Sequence, residues 1–196
     1  MDLATLLPVL LAGYLLGSIP FGLLLTSLTG GGDLRSVGSG NIGATNVLRT
    51  GRKGLAAATL LLDLGKGFSA VWLARHVLGG DPAIGGLAAV MGHCFPVWLK
   101  FKGGKGVATL MGVALGLAWP IGAVYAAVWL GMLAGTRISS LSGMSAAVSA
   151  PIAAWALGYI GYVPVLLLLA LLVIWLHRAN IARLRAGTEP KVGSKA

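Results

Sequence analysis

The chain is short of charge. Asp, Glu, Lys and Arg together make up 10% of its 196 residues, against about a quarter in a soluble domain. Acids are the scarcest, five against 15 Lys and Arg. So few charges cannot cover a water-soluble globule, and a soluble fold is excluded. Cysteine is nearly missing as well. Cys94 stands alone, so no intrachain disulfide can form, and its apolar surroundings mark it as packing. His76, His93 and His177 are scattered, with no acidic or cysteine cluster beside them. No metal-ligand spacing results, and neither metal nor cofactor is expected. The stretch from Met1 to Leu28 lacks a basic n-region, Asp2 being its only charge. It therefore reads as a span and not as a cleaved signal peptide. There is no low-complexity segment and no convincing internal repeat.

What the chain has is apolar length: 57% hydrophobic residues and 31 glycines, small enough to let membrane helices pack closely. Runs of about 20 apolar residues read as spanning helices. They fall at Ala4–Leu28, Gly54–Leu78, Ala83–Leu99, Gly106–Ala134, Leu141–Tyr159 and Val163–Leu176. The fourth is long enough for one tilted helix or for two short ones hinged at Trp119-Pro120, where proline disfavours continued helix. Loop charge chooses between them, because Lys and Arg stay on the cytoplasmic side. With two helices, one face collects Arg35, Arg49, Arg52, Lys53, Lys100, Lys102, Lys105, Arg137, Arg178, Arg183, Arg185, Lys191 and Lys195. Arg75 alone is left outside, and Lys66 lies within a span. With one helix the loop charges divide evenly. The expectation is a single all-α integral membrane domain, 1–196, of seven transmembrane helices, two of them short. Its N-terminus lies outside and its C-terminus in the cytoplasm. The net charge of +10 sits in loops between spans, which points to anionic lipid headgroups and not to nucleic acid. No protein partner can be inferred.

Polar side chains collect in three places on that face: Ser36 to Asn46 followed by Arg49, Phe101 to Gly106, and His177 to Leu184. Gly103-Gly104-Lys105-Gly106 opens a helix. Glycine amides, a helix N-terminus and an ammonium together suit a phosphate. Two look-alikes are set aside. Gly38-Ser39-Gly40-Asn41-Ile42-Gly43 fits G-x-G-x-x-G but follows a span, not a strand. Gly106 follows Lys105 where a Walker A motif needs Ser or Thr. His76 and Asp81 fit the H-x4-D of acyl-thioester-dependent glycerolipid acyltransferases, but on the outer face, away from the other clusters. Asp63 and Lys66, at i,i+3 within the second span, share a helix face and read as a structural pair, or as one that reaches the loop cluster, in preference to a transport path.

Taken in order, these clusters resemble the bacterial PlsY-type acyl-phosphate:glycerol-3-phosphate acyltransferases. Ser39-Gly40-Asn41 through Gly43-Ala44-Thr45-Asn46 is similar to the first signature of that family. Gly92-His93, Phe95-Pro96 and Phe101 through Thr109 are similar to the second. His177-Arg178, Asn180-Ile181, Arg183-Leu184 and Gly187 through Pro190 are similar to the third. Asp63, Lys66 and Gly67 also match, and Ile42 stands where members often carry Pro. The resemblance implies a seven-span enzyme of the bacterial inner membrane with its site on the cytoplasmic side. It implies transfer of an acyl group from acyl phosphate to the 1-hydroxyl of glycerol 3-phosphate, giving lysophosphatidic acid and phosphate, the first step of phospholipid synthesis. Catalytic candidates are then Ser39, Arg49, Lys105, His177 and Asn180. Substrate-binding candidates are Gly40, Asn41, Asn46, Gly103, Gly104 and Ser142. Lys105 with the two glycines is expected to cradle a phosphate that Arg49 also pairs. Ser39 reads as a binding hydroxyl in preference to a nucleophile. His177 and Asn180 are expected to grip the glycerol portion, with His177 or a phosphate oxygen taking the proton. The competing class is a small transporter of a phosphate-bearing anion.

Overall fold

The computed structural model describes residues 2–193; Lys195, counted above among the basic loops, lies outside them. Among the described residues there is no strand. The helices are α1 Leu3–Gly17, α2 Phe21–Leu28, α3 Ala44–Arg49, α4 Lys53–His76, α5 Pro82–Cys94, α6 Val107–Leu117, α7 Trp119–Thr136, α8 Ser139–Ala156, α9 Val163–Leu176 and α10 Arg178–Arg185. Asp2 starts the first by accepting the Thr5 amide at 2.9 Å, an N-cap. Burial is arranged for lipid. Leu3, Leu7, Leu11 and Leu15 form an exposed apolar row at i,i+4, a stripe a soluble helix would turn inward. The buried core joins Val71, Leu110, Val113, Ile121, Leu166 and Leu169 from α4, α6, α7 and α9.

Four segments are long and apolar enough to cross a membrane: Leu3–Leu28, Lys53–His76, Pro82–Leu99 and Trp119–Thr136. The pair Ile160–Leu176 and Arg178–Arg185, bent by 59°, makes a fifth if taken as one. Length and hydropathy alone therefore stop short of the expected seven. The reasons are local: α6 has 11 residues, about 16 Å of helix, and α8 carries Ser139, Ser140, Ser142, Ser145 and Ser149.

The long fourth run is two helices. Ala118 is extended (φ −157°, ψ 124°), one residue before the expected hinge. The Tyr125 hydroxyl donates to the Val107 carbonyl at 2.9 Å. That bond joins residues 18 apart, and a continuous helix would separate them by about 27 Å, so α7 folds back along α6. Two glycine contacts fix the other helix pairs. A Cβ on Gly17 would stand 2.0 Å from the Ala89 carbonyl oxygen, which draws α1 onto α5. One on Gly112 would stand 1.9 Å from the Leu64 oxygen, which draws α6 onto α4. Arg75, in the last turn of α4, donates to the Gly116 and Leu117 carbonyls at 3.2 and 3.1 Å and to the Tyr162 hydroxyl at 3.1 Å. It covers the free carbonyls at the end of α6.

Candidate active site

A cavity of about 600 Å³ opens at the end of the bundle where the basic loops meet. Ser39, Asn41, Asn46, Arg49, Lys105, His177 and Asn180, all singled out from the sequence, line it. Gly40, Gly103, Gly104 and Ser142 do not.

The first wall is the loop 37–43 and α3. Buried Asn46 organises it. Its Nδ2 donates to the carbonyls of Leu34, Val37 and Asn41 at 3.0, 2.9 and 2.8 Å. Its Oδ1 accepts the Ser39 amide at 3.1 Å. Asn46 is thus the scaffold of the loop and not a free ligand to substrate. The Ser39 hydroxyl also points to that Oδ1, at 3.4 Å, with no base against it among the described residues, and Arg49 Nη1 lies 3.5 Å from the same atom. The Asn41 carboxamide oxygen accepts the Gly43 amide at 3.0 Å. Gly38 and Gly40 have φ +56° and +67°: turn geometry, with no dinucleotide-binding strand before it. Thr45 Oγ1 and Ser139 Oγ, 2.9 Å apart, tie this wall to the start of α8.

The second wall departs from the sequence expectation. The amides of Gly103 and Gly104 do not face the cavity. They donate to the carbonyls of Cys94 and His93, both at 3.0 Å, closing the loop onto the end of α5. A Cβ on Gly104 would stand 2.0 Å from His93 Nε2, and one on Gly103 2.1 Å from the His93 carbonyl oxygen. Both glycines are there for close packing. The cavity-facing groups lie further on: Gly106 turns the chain at φ +81°, and Val107 and Ala108, which open α6, line the cavity. First-turn amides have no acceptor within their own helix, so Lys105 and the start of α6 are what this wall presents to the cavity.

Lys105 donates to the Asn180 carboxamide oxygen. Asn180 Nδ2 donates to Glu189 Oε1 at 2.6 Å, as does Ser140 Oγ, while Arg183 Nε donates to Oε2 at 2.7 Å. The carboxylate thus ties the start of α8 to α10. Its bonds from Ser140, Asn180 and Arg183 hold Glu189 below the usual carboxylate range despite burial. Burial lowers the Lys105 ammonium to about 8; Arg183, Arg49 and Arg178 add to the effect and Glu189 opposes it. Lys105 and Arg49 line the same cavity, and two like charges so placed favour an anion between them. Asn180, expected to grip substrate, has its oxygen and one N–H already committed, so its first task is to aim Lys105. Ser142 sends its hydroxyl to the Ile138 carbonyl at 2.8 Å within α8; Ser139 and Ser140 line the cavity in its place.

His177 stands at the bend between α9 and α10, 4% exposed. Its Nδ1 is 2.7 Å from the Val173 carbonyl. A carbonyl only accepts, so Nδ1 carries the proton and Nε2 is left with a lone pair. Burial pushes the imidazole down to about 4, more than the Val173 bond raises it. Arg178 turns outward, its guanidinium 4.7 Å over the Trp175 ring. At the far end, Asp81 caps Ala83 at 2.7 Å and His76 packs on Trp72 at 5.5 Å. Neither touches the cavity, so the H-x4-D match is a helix boundary.

Comparison with known proteins adds to this geometry. The profile of one family, glycerol-3-phosphate acyltransferase, matches residues 7–187. Curated proteins named glycerol-3-phosphate acyltransferase are similar over nearly their whole length. That of Novosphingobium aromaticivorans is 76% identical over 97% of this chain and 96% of its own. That of Erythrobacter litoralis is 64% identical over 94% of each. Two solved structures share the fold, both of PlsY (YgiH), an integral membrane glycerol 3-phosphate acyltransferase. Its glycerol 3-phosphate form superposes with a TM-score of 0.90 at 38% identity, covering 96% of both chains. Its lysophosphatidic acid form gives 0.86 at 36%, covering 95% of this chain and 94% of that one.

Proposed function

The chain belongs to the glycerol-3-phosphate acyltransferase family, and from that premise we propose that its cavity moves a fatty acyl group from acyl phosphate to the 1-hydroxyl of sn-glycerol 3-phosphate. The products are lysophosphatidic acid and inorganic phosphate. The observation that carries the reading is Lys105, aimed by Asn180 beside the open start of α6, in a cavity shared with Arg49 and a neutral His177. Both proposed substrates bear phosphate, and the cavity is cationic.

Lys105 and the first turn of α6 hold the acceptor phosphate, and Arg49 reaches it from α3; charge-assisted bonds of this kind are about twice as strong as neutral ones. Nε2 of His177 accepts the 1-hydroxyl hydrogen bond and directs the oxygen at the acyl carbon. An imidazole near 4 is a weak base at neutral pH, so His177 positions the hydroxyl. The new carbon–oxygen bond forms as the acyl carbon's bond to the phosphate oxygen breaks. The hydroxyl proton leaves on the released phosphate. Phosphate is a good leaving group, so the site needs no strong acid, and Glu189 stays ionised as a holder of Asn180 and Arg183. Ser39 hydrogen-bonds substrate; no base stands against it to make it a nucleophile.

The enzyme is a multi-pass membrane protein of bacterial type. Within this reading it has seven spans, α1 with α2, α4, α5, α6, α7, α8 and α9, with the N-terminus outside and the cavity on the cytoplasmic side of the inner membrane. Support comes from the gathering of basic loops at the cavity end, the fold-back of α7 on α6 and the lone Arg75 at the other end. The test of the donor is direct. Purified enzyme turns over with acyl phosphate and has little activity with acyl-CoA; comparable rates with acyl-CoA as direct donor overturn the proposal.

A further inference from the structure

A charged cluster at the inner end of the cavity, where Asp63 and His93 belong to the lining, takes no part in the chemistry above. Asp63 and Lys66 on α4 form an ion pair at 2.7 Å with side chains 3% and 2% exposed. The Lys66 ammonium also donates to the Ile19 carbonyl at 2.9 Å and lies 5.7 Å over the Phe21 ring. Ile19 and Phe21 flank the break between α1 and α2. On the other side, His93 Nδ1 is 3.7 Å from Asp63 Oδ1 and forms no hydrogen bond among the described residues. Burying such a pair is costly, and an apolar replacement often serves packing as well or better, so packing alone does not account for it.

The opposite edge of His93 meets the loop that carries Lys105. A Cβ on Gly104 would stand 2.0 Å from Nε2, 2.8 Å from Cε1 and 2.9 Å from Cδ2. The imidazole therefore lies against the Gly104 backbone, while the His93 carbonyl accepts the Gly104 amide at 3.0 Å. Ring and backbone of one residue grip the position just before Lys105. We propose that His93 is a positioning residue for Lys105, braced by the Asp63–Lys66 pair against the break in the first span. Removing the imidazole leaves a gap under Gly104 into which the loop relaxes. The ammonium then drifts from Asn180 and from the start of α6.

The inference rests on the reading that Lys105 holds the acceptor phosphate, and a double-mutant cycle separates the two. His93→Ala, His93→Gln, Lys105→Ala and the His93→Ala/Lys105→Ala double variant are assayed in detergent with glycerol 3-phosphate varied. A misplaced binding group costs roughly tenfold or more. His93→Ala is expected to raise KM for glycerol 3-phosphate by that factor. The same variant leaves kcat and the acyl-phosphate KM within about twofold, the pattern of lost binding without lost chemistry. His93→Gln, which refills part of the gap, recovers part of the loss and gives the readout if the alanine variant does not fold. In the Lys105→Ala background, His93→Ala adds nothing. Effects that multiply in the double variant, or an equal fall with both substrates, overturn the positioning role while leaving the phosphate reading intact. An unchanged KM in Lys105→Ala removes the phosphate reading and this inference with it.

Discussion

Raising pH should switch off acceptor binding before it harms the fold. Lys105 binds phosphate as an ammonium, and its surroundings lower it to about 8. The ratio kcat/KM reports the free enzyme, so for glycerol 3-phosphate it should hold near neutrality and then fall about tenfold per pH unit above 8. Below neutrality it declines as the acceptor phosphate, with a second pKa of about 6, takes up a proton. The sign for stability is opposite. Between about 8 and the ordinary lysine value of 10.5, the unfolded chain binds more protons at this residue than the folded one. Stability therefore rises with pH across that window as far as Lys105 is concerned. Activity and stability should part company there. The assay is initial rate against pH in detergent, corrected for uncatalysed acyl-phosphate hydrolysis, with Tm followed in the same buffers. Lys105→Arg keeps its charge above pH 12 and should lose the alkaline limb even if its rate is low. A profile flat to pH 10, or a limb that persists unchanged in Lys105→Arg, refutes the assignment of the ammonium.

Further outcomes follow from the same geometry. Glu189→Gln replaces the acceptor of three hydrogen bonds with a neutral amide; at about 1.5–3 kcal/mol for a bond to a charged group, kcat/KM should drop roughly 10- to 100-fold with a lower Tm, both measurable in detergent. His177→Ala should abolish most activity in a folded protein, whereas His177→Gln should keep measurable turnover with an altered acceptor KM; wild-type rates in the alanine variant would leave His177 as a helix cap only. Ser142→Ala should keep kcat/KM within about twofold, as for a site away from function, because its hydroxyl serves the α8 backbone. A cysteine placed near Lys191 should be protected from an impermeant thiol reagent in intact cells and one near Gly161 labelled; the opposite labelling reverses the orientation.

Hydropathy and loop charge were enough to locate the apolar segments and to divide the fourth run, because both record contact with lipid or water one residue at a time. Tyr125 bonding Val107 across the hinge is the structural counterpart of that division. The three polar clusters were also legible as one site, and seven of the eleven candidates line one cavity. What eluded the sequence depends on partners brought from afar. Gly103 and Gly104 looked like a phosphate cradle because glycine before a lysine at a helix start satisfies either role; only the ends of α5 and the His93 ring show where their amides go. Ser142 lies two residues from Ser140, and helix rotation alone decides which one faces the cavity. Asn46 read as a ligand, since its bonds to Leu34, Val37, Ser39 and Asn41 follow the course of a loop that hydropathy does not describe. Glu189 had no role legible in the sequence. Its partners Ser140, Asn180 and Arg183 come from α8 and α10, and the one available signal was its scarcity: a single acid among so many basic neighbours is seldom unpaired.

The most direct measurement is the stoichiometry of the reaction in detergent, where no membrane separates two compartments. Purified protein given acyl phosphate and glycerol 3-phosphate should release one inorganic phosphate for each lysophosphatidic acid formed, with both products dependent on both substrates and both lost in Lys105→Ala. Absence of acceptor-dependent phosphate release from folded protein, with transport recovered after reconstitution into vesicles, would contradict an acyltransferase and leave a carrier of phosphate-bearing anions.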